Sequence, residues 1–239
     1  MSCPRFPSQQ MQTQRNAYAY PTVALGGALG NFTVENFPGT QTLDQYLNEL
    51  LSSPSDESRV LGYLSVIFWG HYSGQDGRIR QERAFGKVGL AYNGQNRVVR
   101  DRPQRMRGVL DIGVGVAAGY ISTAANHIQN NEFAYALATL SRLPQLQIAF
   151  ASKVCAFINP QQCGVIDSVI AENHPRFGFT LVNGYVQNNV QNRNRYGHYC
   201  AFLQETAKEL NADLQFSSWT DRDHNQHEWR AVDVERALY

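Results

Sequence analysis

One stretch of this 239-residue chain narrows its fold more than any other. From Leu143 to Ile166, 24 residues carry a single charge, Lys153. The centre of that stretch, Ile148 to Ile158, is apolar around most of a helical wheel. A helix without a polar face belongs inside a protein, enclosed by other elements. Asn159-Pro160 ends it, because proline lacks the amide and clashes with the preceding turn. The rest of the chain must therefore supply several helices to surround it. No apolar run reaches the roughly 18 residues of a bilayer span, so no membrane segment is expected. With 43% hydrophobic residues, the chain has enough apolar material for one sizeable core.

The enclosing helices show in the periodicity. Within Thr42–Leu51, Leu43, Tyr46, Leu47, Leu50 and Leu51 share a face, with Thr42 as a candidate N-cap. A second helix begins near Ser55 or Asp56 and runs through Val60, Leu61, Leu64, Ile67 and Phe68 to about Gly70. Val109–Ala125, Glu132–Leu143, His198–Asn211 and an amphipathic tail, Glu228–Tyr239, follow the same spacing. One β element is expected: Lys87–Tyr92 and Gln95–Val99 around Asn93-Gly94, the pair favoured in tight hairpin turns. Residues 176–198, rich in Asn and Gln, read as a loop or short irregular elements. Residues 1–20, polar with Pro4 and Pro7, read as a flexible arm, leaving 21–239 as a single mainly α domain.

The N-terminus lacks the apolar core of a secretory signal, which points to the cytoplasm, nucleoid-associated in a bacterium. Cys3, Cys155, Cys163 and Cys200 fit no zinc spacing and are expected to be free thiols, Cys155 buried. His224-Asn225-Gln226-His227-Glu228 has no ligand set around it, so neither metal nor cofactor is expected.

The net charge of +1 conceals an uneven distribution. From Phe32 to Ser58 there is no Lys or Arg. Between positions 78 and 107 stand Arg78, Arg80, Arg83, Lys87, Arg97, Arg100, Arg102, Arg105 and Arg107, opposed only by Glu82 and Asp101. Such a segment neutralises phosphates and releases counterions, so DNA is the expected partner; a solvated basic loop is the alternative. Arg193, Arg195 and the amides of 187–194 are further candidate donors to phosphate or base edges.

Lys153 has two possible fates. It lays its stem on the core with the ammonium in water, or it stands in a partly desolvated cleft, where low polarity favours a neutral, nucleophilic amine. A neutral amine forms a Schiff base with an aldehydic carbon. Asp167, the next charge, follows after a short linker that can return it to the lysine. A carboxylate there stabilises positive charge developing on a sugar ring.

Helix 132–143, the break Leu143-Pro144, helix 148–158 and Asp167 together resemble the helix-hairpin-helix of the DNA glycosylase superfamily. Phe150-Ala151-Ser152-Lys153-Val154 is most similar to the 8-oxoguanine glycosylase branch, including its archaeal enzymes and OGG-like bacterial proteins. The segment Val165-Ile166-Asp167-Ser168-Val169 and the tail Trp229–Glu235 also look like that branch. The resemblance covers roughly residues 55–239 and places the hairpin motif at about 133–158. It implies a helical glycosylase-like fold, with Lys153 as nucleophile and Asp167 as catalytic aspartate. It also implies a monomer that flips a modified base out of DNA and cleaves its N-glycosidic bond, with strand cleavage as a further possibility. The superfamily's two hairpin glycines are replaced here by Gln145 and Gln147, which either change the turn or offer amides to a phosphate.

Flat side chains must hold an extruded base. Phe68, Trp69, Trp219 and Trp229 are the candidates, with Trp69 and Trp219 foremost. The resemblance implies 8-oxoguanine as substrate. The changed hairpin and the amide-rich segment also fit another modified base, such as a bulky phage pyrimidine, which would make the protein a defence enzyme. A DNA-binding protein that keeps the fold without the chemistry is the remaining alternative.

Overall fold

Residues Ile148–Ile158 form the central helix that their composition requires, with Ile148, Ala151, Val154 and Cys155 fully buried. The structure is a computed structural model that describes residues 6–72, 77–99 and 101–239, and side chains for these except 77–80 and 99. Around the central helix, the chain runs α1 (Ser8–Ala17), β1 (Val23–Ala28), β2 (Asn31–Asn36), α2 (Thr40–Ser52), α3 (Asp56–Tyr72) and α4 (Gly77–Asn93). Then come β3 (Gln95–Val99), β4 (Arg102–Met106), α5 (Val109–Ile112), α6 (Val114–Gln129), α7 (Phe133–Leu140) and the central α8. It closes with α9 (Ser168–Asn173), β5 (Leu181–Val182), β6 (Tyr185–Val186), α10 (Val190–Asn211), β7 (Ser218–Thr220), β8 (Gln226–Glu228) and α11 (Ala231–Leu238). The fold is mainly helical, as expected, with α2, α3, α6 and α7 packed against α8.

Four antiparallel two-stranded hairpins are present among the described residues where the sequence suggests one. The expected hairpin is displaced. Lys87–Tyr92 belongs to α4, and β3 pairs instead with β4, Gln95 opposite Met106. Asn93-Gly94 caps the helix: the Gly94 amide donates to the Leu90 carbonyl, and Gly94 takes φ 71°. A left-handed glycine serves a helix C-terminus as well as a hairpin turn, so the dipeptide alone does not distinguish them. A side chain at Gly94 would meet the Met106 carbonyl at 2.5 Å. The first hairpin, β1–β2, was hidden by Gly26 and Gly27. It packs on α3, where the Ser65 hydroxyl both donates to the Leu25 carbonyl and accepts from the Leu25 amide.

Residues 8–17, expected within a flexible arm, form a helix with Met11 and Arg15 buried. Arg15 is the reason. Its Nε and Nη2 donate to Asp233 Oδ1 on α11 at 3.0 and 2.9 Å. Arg230 donates to Asp233 Oδ2 at 2.6 Å and to Asp44 Oδ2 on α2 at 3.0 Å. Arg236 grips Asp44 with both terminal nitrogens at 2.9 Å, and the Tyr20 hydroxyl donates to Asp44 Oδ1. Three guanidiniums and two carboxylates thus tie both ends of the described chain to α2. Burial raises the Asp233 pKa, but Arg230, Arg15 and Arg236 outweigh it and hold the carboxyl at about 2.

Removing one partner of a buried network strands the other charges without water. Asp233→Asn is therefore expected to cost about 3–5 kcal/mol in urea unfolding. Asp56→Asn, in the exposed Arg59–Asp56 pair, is expected to cost less than about 1 kcal/mol. Equal effects of the two substitutions would contradict this account.

Candidate active site

Lys153 projects from α8 towards the segment that follows it. Its Nζ lies 3.7 Å from Asp167 Oδ2, and both side chains are largely buried, at 13% and 17% exposure. Neither simple snorkelling nor complete burial describes this lysine. Its stem is enclosed while its ammonium faces Asp167.

Several groups hold the pair together. Ser152 is fully buried, and its hydroxyl accepts from the Ile166 amide at 3.0 Å, fixing the backbone one residue before Asp167 against α8. The Tyr196 hydroxyl donates to the Gly164 carbonyl, anchoring the same linker to α10. Asp167 Oδ1 accepts from the Val169 and Ile170 amides and caps α9. Its Oδ2 is left for Lys153 and for the Tyr239 hydroxyl at 3.2 Å. The expected linker geometry is thus realised through an N-cap and a buried serine that the sequence reading did not single out.

The pair opens into a cleft of about 1100 Å³. Aromatic walls come from Tyr18, Tyr20, Trp69, Phe150 and Phe157, with Tyr185 and Tyr239 also facing it. Trp69 is the expected base-pocket residue that does line this cleft. Its indole donates to the Pro21 carbonyl at 3.0 Å, and Lys153 Nζ stands 5.9 Å from the ring centroid. The other three candidates are elsewhere. Phe68 is fully buried against Tyr72 and Phe85. Trp219 is buried under the Arg15 guanidinium, 3.4 Å from its ring centroid, and beside His227. Trp229 is buried with its indole donating to the Phe216 carbonyl. These three large rings fill the interior, as large apolar side chains commonly do.

The basic segment divides in the same way. Arg83 and Lys87, one turn apart on α4, line the cleft. Arg102, Arg105 and Arg107 are exposed on β4 and just after it, and Arg105 is paired with Asp111 at 3.0 Å. The side chains of Arg78 and Arg80, and all of Arg100, lie outside the described residues. Gln145 and Gln147 line the cleft from the α7–α8 turn. Gln145 takes φ 62°, the left-handed conformation that a glycine adopts without strain, so the turn is made despite the substitution. The Tyr63 hydroxyl donates to the Pro144 carbonyl and pins that turn.

Arg193 and Arg195 hold the protein's own loops, donating to Asn188 and to Thr180 and Asn192. Asn192 is fully buried and bonds the Thr180 amide and the Thr180 and Gln187 carbonyls. Part of the amide excess is therefore structural, although Gln187 and Asn188 face the cleft.

Two of the perturbed titratable groups in the cleft, His71 and Glu235, bear on its charge near neutral pH. His71 is stacked on Phe150 with ring centroids 4.6 Å apart. Burial lowers its pKa to about 4, assisted by Lys87, Arg83 and Lys153. Glu235 on α11 is 2% exposed, and burial raises its carboxyl to about 8, with Asp167 adding to the effect. Neither carries a signal in the sequence, since each lies within a helix whose pattern does not mark it.

A model of one protein family, described as "Putative 8-oxoguanine DNA glycosylase OGG-like protein", matches residues 47–239. The chain belongs to this family. No curated protein and no solved structure matches it. The match begins within α2 and includes every element that builds the cleft except the Ala17–Pro21 segment. In this OGG-like chain no described helix is long and apolar enough to cross a membrane. Cys155, Cys163 and Cys200 are free and buried, and Cys3 lies outside the described residues.

Stability should report the Glu235 environment. In the unfolded chain this carboxyl ionises near its ordinary value, about 4.5, and in the fold only near 8. Between those values the unfolded state releases a proton that the native state keeps, so stability falls as pH rises. Glu235→Gln removes the titration. Its melting temperature relative to the natural chain is expected to be higher at about pH 8 than at about pH 5. A pH-independent difference would contradict the raised carboxyl.

Proposed function

We propose that the protein is a DNA glycosylase that flips a modified base into the Lys153 cleft and cleaves its N-glycosidic bond. The observation that carries this reading is the Lys153–Asp167 pair, 3.7 Å apart, in an aromatic-walled cleft with Arg83 and Lys87 at its side. Cations on one wall suit the phosphates beside an extruded nucleotide, and rings on the others suit the base. Asp167 is positioned to stabilise positive charge as it develops on the sugar. Lys153 Nζ, in its neutral form, attacks C1′, and the Schiff base that follows ring opening permits strand cleavage by β-elimination.

Family membership supports 8-oxoguanine as the first substrate to try. The cleft volume of about 1100 Å³ and the Gln187 and Asn188 amides lining it also fit a second reading, a base bulkier than 8-oxoguanine. Such substrates include the modified pyrimidines of phage DNA, whose removal would be a defence function. In either case DNA is the partner and a monomer suffices.

Duplexes carrying 8-oxoguanine, substituted pyrimidines or unmodified bases provide the test, with free base measured and covalent complexes trapped by borohydride. Base release is expected from at least one modified duplex. Lys153→Gln should abolish the trapped complex, and Asp167→Asn should slow release by about 100-fold or more. Full release by both variants would remove the assignment. DNA binding without release from any duplex would leave a binding protein with a glycosylase fold.

A further inference from the structure

The mechanism above does not use Glu235, a carboxyl lining the same cleft as Lys153 and Asp167. On α11, Val232, Glu235, Arg236 and Tyr239 all line the cleft, a spacing that places them on one helical face. The Glu235 side chain is pressed against the Gly164 backbone: a Cβ added to Gly164 would lie 2.8 Å from Glu235 Cβ. The Val165 amide donates to its carboxylate. Glu235 is thus held against the linker that carries Asp167. Its environment keeps it largely protonated at neutral pH, with a pKa near 8.

We propose that Glu235 is the general acid of this site, delivering a proton to the departing base. This rests on the glycosylase reading of the Lys153–Asp167 pair. The step balances. As the C1′–N bond breaks, its electron pair goes to the base nitrogen and the Glu235 proton goes to the base. Lys153, an ammonium facing Asp167 in the resting site, first gives one proton to water, and the lone pair of its Nζ then forms the new bond to C1′. The positively charged nitrogen next loses a proton to water, and the Glu235 carboxylate takes one from water, restoring the acid. Asp167 remains ionised and stabilises charge on the sugar, so two carboxyls in one cleft divide acid and electrostatic roles.

The groups facing Glu235 support that division. Arg236 on its own helix and Lys153 on α8 favour the ionised carboxyl, as does the Val165 amide; burial and Asp167 favour the protonated one and prevail. Tyr18 after α1, Tyr199 on α10 and Tyr239 also lie within electrostatic reach of it. All three hydroxyls are pushed up by burial, so none takes a charge in the neutral range.

The test compares the full chain with Glu235→Gln, Glu235→Asp and Lys153→Gln. Each is assayed in single turnover on the duplex panel above and on a duplex with a preformed abasic site. The rate of release by the natural chain, taken as a ratio to that of Glu235→Gln at each pH, should fall as pH rises past about 8. At neutral pH Glu235→Gln should release base about 100-fold more slowly, and Glu235→Asp should recover part of the rate. Borohydride trapping on the abasic duplex, which has no base to protonate, should stay near the natural level in Glu235→Gln. Release by Glu235→Gln at the natural rate with an unchanged pH profile overturns the proposal. A parallel loss of release and abasic trapping also overturns it, by showing a structural role only. An inactive natural chain or a fully active Lys153→Gln removes the underlying reading and this proposal with it; an active natural chain and an inactive Lys153→Gln confine any failure to Glu235.

Discussion

Asp233 and Asp44 are buried together with three guanidiniums, from Arg15, Arg230 and Arg236. None of these charges could enter the interior alone, because each would lose its hydration without recompense. The network therefore forms as a unit, and α1, α2 and α11 are brought together by it. Its consequence reaches the cleft. Arg236 is both the Asp44 clamp and a cleft residue, and it lies next to Glu235 on α11. The helix that carries Glu235 into the cleft is thus fixed by ion pairs to α1 and α2.

The cleft is therefore a place where charge is spaced out rather than accumulated. Arg83, Lys87 and Lys153 contribute cations, and His71, beside them, stays neutral because burial and those cations oppose its protonation. Glu235, within electrostatic reach of Lys153, stays largely protonated at neutral pH, leaving Asp167 as the carboxylate partner of Lys153. Burial of ionisable groups at the edge of an accessible cavity is how one site holds carboxyls in two states at one pH.

How much of this was visible in the sequence depends on the range of the interactions. The limits of α8 were legible because one apolar run and one proline determine them. Lys153 and Asp167 stood out because so few charges surround them. The displaced hairpin shows the opposite case: Asn93-Gly94 satisfies two kinds of chain reversal, and only the strand opposite, Arg102–Met106, distinguishes them. Likewise α1 looked like a free arm because its one decisive residue, Arg15, finds Asp233 at the other end of the chain. Glu235 carried no local signal at all. In sequence it belongs to an ordinary amphipathic helix, and the Gly164 backbone it packs against and the Asp167 charge that raises its pKa lie far from it along the chain. Trp219 and Trp229 failed as base-pocket candidates because a tryptophan's composition does not reveal which side of the core it fills.

Gly70, near the end of α3, lies against the Phe150 ring, and a Cβ there would stand 2.5 Å from Phe150 Cε1. The ring occupies the space where a side chain would begin, and His71 stacks on its face. Any larger residue at position 70 would force that ring to shift, and Lys153 Nζ lies 5.7 Å from it. The room beside Lys153 thus depends on a missing methyl group, and one codon change at position 70 would remodel this wall of the cleft without touching a single ionisable residue.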